Sequence, residues 1–131
     1  MAEDIENVNF RKYLDEGKEY IRLSEPVQAS AKLYKASEEA VKSLAKSLDL
    51  PEDKEAEKKG RWTAPFLFSA VRNLSEKVEP EVIDWWDHAW FLHVEGFHEA
   101  RLNIEEIKFR LRFIEEIVNL SDRQKGCRSK G

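Results

Sequence analysis

A chain of 131 residues with 22 Lys and Arg against 26 Asp and Glu, a net charge of −4, has the length of one domain. Five Gly and four Pro exclude collagen-like and low-complexity chains, and a single Cys excludes a disulfide scaffold and the cysteine-rich zinc modules. No uncharged run approaches the ~20 residues that span a bilayer, and no N-terminal apolar stretch reads as a signal peptide, so the expected location is the cytoplasm, with no membrane partner.

Helical periodicity dominates the chain. Phe10, Tyr13, Leu14, Gly17, Tyr20 and Ile21 recur at spacings of three and four and predict a first helix over about residues 5–23. Ser24-Glu25-Pro26 is a break and restart, because Pro suits a helix's first turn and disfavours helix just before it. A second helix follows over about 26–48, with Val27, Ala31, Tyr34, Val41, Leu44, Ala45 and Leu48 as its apolar stripe and Ala29, Ala36 and Ala40 on a close-packing flank. Residues 49–60 are charge-rich and predict an exposed connection or a weak helical turn. Thr63 caps a third helix over about 64–76. Glu79-Pro80 opens a fourth over about 80–100, and Asn103 with Glu106 forms a capping box for a fifth that reaches about 120. No period-two run is long enough for a strand. The expected fold class is all-α, an antiparallel up-and-down bundle of about five helices over residues 1–121, followed by a flexible basic tail, 122–131.

Composition adds two expectations. Lys and Glu supply 32 residues while Thr, Cys and Met occur once each, a bias typical of hyperthermophile proteins. The tail, with Arg123, Lys125, Arg128 and Lys130, leaves the body acidic, which suits general nucleic-acid binding poorly; Cys127 is expected to be exposed.

The densest chemistry lies on the fourth helix. On an α-helical wheel Asp84, His88, Glu95 and Glu99 share one stripe with His98 at its edge. Such a stripe reads as a solvated face of ion pairs, or as an acid–base or transition-metal site. The segment lacks the His-Glu-x-x-His spacing of zinc peptidases, so no metal or other cofactor is expected. Trp86, Trp90, His93 and Phe97 fall on the opposite face. Adjacent Trp85 and Trp86 point about 100° apart, so the helix is expected to pack on two sides, once in the core and once against a partner copy. The candidate ligand-binding residues are Arg61, Trp62, Arg72, Trp85, His98 and Arg101, which join stacking surface to phosphate-binding charge. Phosphate loops, GxGxxG, Gly-x-Ser-x-Gly and repeats are absent from the sequence.

Three segments, Tyr13–Leu48, Gly60–Thr63 (GRWT) and Ala89–Ile107 (AWFLHVEGFHEARLNIEEI), together resemble the archaeal PaREP family, itself similar to the HEPN helical domains. The resemblance implies a helical bundle that dimerises through helix faces and serves as a ribonuclease, as a partner of a nucleotidyltransferase-like protein, or as a nucleotide-binding module. Ribonuclease members place a His four to six residues beyond an Arg, one group holding phosphate and the other moving a proton. None of His88, His93 and His98 has an Arg in that window, and Lys77, Val78 and Glu79 stand where Arg72 would need a His. The leading expectation is a non-enzymatic, homodimeric binding module. The alternative is a divergent ribonuclease or metal-assisted hydrolase built from His88, Glu95, His98 and Arg101.

Overall fold

A computed structural model describes residues 2–130, with side chains described for residues 9–124. Six α-helices, α1 (Ala2–Arg22), α2 (Pro26–Ser47), α3 (Pro51–Lys59), α4 (Ala64–Lys77), α5 (Val82–Phe91) and α6 (Ile104–Lys130), make an all-α bundle with no strand among the described residues. A π-helical segment, Leu92–His98, prolongs α5. Among the described residues no helix is long and apolar enough to cross a membrane.

The helix α2 is the centre of the molecule. It packs against α1, α6, α4, α5 and the π-helical segment. Small residues make this possible: Ala29, Ala36, Ala40 and Ala45 are fully buried beside Leu33, Val41 and Leu44. The predicted stripe therefore needs correction. Val27 is exposed at the first turn, while Leu33 and the alanine flank lie in the core, because a central helix is covered on more than one side. Against it α1 sets Phe10 and Leu14, and α6 sets Ile107, Ile114, Ile117 and Val118. Burying each such side chain contributes about 1.5–3 kcal/mol.

The local stop and start signals act as expected at three places. Pro26 occupies the first turn of α2, Thr63 Oγ1 accepts from the Phe66 amide, and Asn103 Oδ1 accepts from the Glu106 amide at 2.9 Å. The other half of the capping box is not made: the Glu106 carboxylate instead pairs with Arg110 at 3.1 Å. The charged stretch 49–60 is not a loop. It folds as α3, with Pro51 in the first turn, Glu52 and Asp53 at the positive end, Lys58 and Lys59 at the negative end, and Gly60 closing it at φ +83°. Glu52 is buried and anchors α3 to α4 by accepting from Ser69 and Asn73.

Two further expectations change. Trp85 and Trp86 are both buried, at 8% and 1% exposure. Within the chain α5 packs against α6, α4 and α2. Trp86 meets Tyr34 of α2 and Phe68 of α4, while Trp85 shares a buried stripe with Ala89 and Leu92. Helix α6 also continues past residue 120, and Asp122 accepts from Arg11 of α1. Of the expected tail, Lys125, Cys127, Arg128, Lys130 and Gly131 lie outside the residues whose side chains are described.

Candidate functional site

The fourth helix of the sequence reading is two elements, and the junction decides the chemistry. Residues 82–91 are α-helical; from Leu92 the turns widen to the i→i+5 pattern, and the Glu99 amide donates to the Val94 carbonyl at 2.9 Å. The segment ends where Ala100 turns to φ +53° and the Arg101 amide reaches back to the Glu95 carbonyl at 2.8 Å. Gly96 allows the segment to lie directly on α2. A Cβ at this position would overlap the Ser30 hydroxyl and stand 2.7 Å from the Ser30 Cβ.

Above this contact six rings gather, those of Tyr34, Phe68, Trp90, His93, Phe97 and His98. Tyr34 of α2 stacks on His93 at 4.1 Å between centroids and 23° between planes. Phe97 lies 6.3 Å beyond His93 and within 14° of parallel to it. Trp90 abuts His93 at 5.0 Å and Phe68 at 4.8 Å, which ties the cluster to α4. His98 meets His93 with the two Nε2 atoms 3.2 Å apart, one of them carrying the shared proton. Burial, then the adjacent His98, hold His93 below its usual pKa, and Glu38 of α2 works in the opposite direction. Burial, then the Glu38 charge, push the Tyr34 hydroxyl well above the usual tyrosine range. Glu38 and Glu39 in turn bind Lys35 and Lys42 at 3.1–3.7 Å.

The expected acidic stripe does not survive the change of helical period. Asp84 and His88 remain together on α5 facing α6, where His88 stacks on Phe113 at 3.7 Å and its Nδ1 accepts from Arg110 at 2.7 Å. Because guanidinium only donates, His88 is neutral here. Burial and then Arg110 lower its pKa, against the charges of Asp84 and Asp87. Glu95 pairs with Arg101 at 2.9 Å, and Glu99 is exposed at the end of the segment. His88, Glu95, His98 and Arg101 thus divide into three separate sets of contacts. Among the described residues no group of three or more His, Cys, Asp or Glu is placed to hold a metal.

The ligand candidates also separate. Trp62 lines a solvent-open cleft of about 450 Å³ with Lys42, Lys46, Asp53 and Glu57. Arg61 is exposed, and the Arg72 charge acts on Glu52. Trp85 is in the core. The cleft borders α2 at Glu39–Lys46, whereas the π-helical segment covers Ser30 and Tyr34, so Arg61 and Trp62 do not join His98 and Arg101. Tyr34 and Glu38 were not singled out from the sequence, and His93 was placed only with the aromatic face. The available signal was the five-residue spacing of His93 and His98 around a glycine.

The profile of the archaeal PaREP1/PaREP8 family matches residues 8–118. The crystal structure of a protein from Sulfolobus solfataricus is similar with a TM-score of 0.84 at 35% identity, covering 88% of this chain and 95% of that one. A solution structure of the same target gives 0.78 at 35% identity, with 88% and 90% covered. No functionally curated protein matches.

Proposed function

We propose that this chain, which belongs to the archaeal PaREP1/PaREP8 family, is a non-enzymatic, HEPN-like binding module whose recognition surface is the ring cluster over the π-helical segment. The observation that carries this reading is the near-parallel ladder Tyr34–His93–Phe97, whose outer ring is 42% exposed. A ladder anchored in the core at one end and open at the other is a pre-ordered platform for a flat heterocycle, and each stacked base contributes about 1–3 kcal/mol. Lys35 and Lys42 are engaged by Glu38 and Glu39, and Arg101 by Glu95, so the cations near the platform are already paired and the reading is recognition of the base of a nucleoside or nucleotide and not of its phosphate.

The module works as a homodimer through the α5–α6 face. There Phe109 is 50% exposed and flanked by Phe113 and Arg112. Such an apolar and cationic group is the composition of an interface anchor.

Calorimetric titration with adenosine, AMP and ribose 5-phosphate tests the stacking claim. Binding of the first two, lost in Phe97→Ala, is the expected result. Binding of ribose 5-phosphate alone, or base binding indifferent to Phe97, overturns it.

A further inference from the structure

The π-helical segment aligns a pair of residues that an α-helix would separate. On an α-helix, imidazoles four apart share a face and can grip one metal ion; on a π-helix the equivalent spacing is five. His93 and His98 have that spacing, and it brings their Nε2 atoms to 3.2 Å. Two imidazole nitrogens bound to one tetrahedral cation at 2.0–2.1 Å stand about 3.3 Å apart. We propose that His93 and His98 form a two-imidazole seat for a divalent transition cation of the zinc or copper kind. This reading goes beyond base stacking and does not depend on it.

Two observations support the assignment. His93 is held in orientation by Tyr34, which stacks on it, and by Trp90, which abuts it, so little side-chain freedom is lost on binding. His98 is exposed, so a cation reaches the pair from solvent. No third ligating side chain is in place among the described residues, which leaves coordination positions for water or an incoming ligand. A neutral imidazole is the ligating form, and the ring whose Nε2 carries the shared proton releases it to solvent and takes one up at its own Nδ1, so both rings stay neutral when the cation binds.

The test uses the full chain carrying Cys127→Ser, so that the thiol supplies no ligand, titrated with copper(II) or zinc(II) alone. The expected result is one cation per chain, with two-nitrogen coordination in the copper electron paramagnetic resonance spectrum. His98→Ala, whose fold is checked by circular dichroism, weakens binding by roughly tenfold or more. His88→Ala leaves it unchanged. No binding to the parent chain, or binding unaffected by His98→Ala, overturns the proposal.

Discussion

Gly96 lies so close to Ser30 that no side chain fits between the π-helical segment and α2. Gly96→Ala is therefore expected to destabilise the fold by about 1–3 kcal/mol, through overpacking against a backbone-anchored Cβ. The Ser30 hydroxyl is buried without a hydrogen-bond partner, so Ser30→Ala alone is close to neutral or stabilising. The double variant recovers part of the loss, because the shortest contact is gone. Urea unfolding of the four proteins measures the coupling; additive effects would show that the contact is not shared.

Glu52 predicts an acid-sensitive anchor. It is 7% exposed, and burial acts to raise its pKa, but donation from Ser69, the α3 backbone and Asn73, with the Arg72 charge, outweighs burial and lowers it. In the folded state the carboxylate is thus easier to ionise than in the unfolded chain. Its contribution is present above the ordinary carboxylate range and is lost as pH falls through the lowered folded value. Glu52→Ala should cost about 1–3 kcal/mol at neutral pH and leave less acid-dependent stability than the parent. An unchanged acid limb in denaturant titrations would contradict this.

How far these features are legible in the sequence follows from how local their causes are. Pro26, Thr63 and Asn103 start helices through groups within one turn, so spacing alone located them. Helix α3 is legible only as a weak turn or a loop because only Glu52 and Ala56 of its nine residues are buried, leaving almost no apolar periodicity. The π-helical segment was missed because a 3.6-residue wheel was continued through residues whose period is set by a tertiary contact, Gly96 on Ser30. The same error assembled Asp84, His88, Glu95 and Glu99 into one stripe. Tyr34 joins the site across 59 residues of chain from His93, and no local pattern announces that pairing.

His88 predicts a second pH effect of defined sign. Its folded pKa is lowered by burial and by Arg110, so in the window below about pH 6.5 the unfolded chain binds the proton more readily. Stability rises with pH through that window and is lost as pH falls. In His88→Gln this part of the dependence disappears, and the difference in unfolding free energy between parent and variant narrows from pH 7.5 to 5. A gap that widens on acidification would reverse the assignment.

The homodimer predicts a selective response at Phe109. Phe109→Glu should be monomeric in sedimentation equilibrium where the parent is dimeric, with thermal stability of the single chain retained because the ring is half exposed. A parent chain that is monomeric at high micromolar concentration would remove the interface.

The most direct test of the central claim is an amide and indole chemical-shift map on adding adenosine to the full chain. Stacking on the Tyr34–His93–Phe97 ladder predicts shifts concentrated at Tyr34, the Trp90 indole, His93, Phe97 and His98, and their absence in Phe97→Ala. Shifts centred on the Trp62 cleft instead, or no shifts at millimolar adenosine, would contradict it.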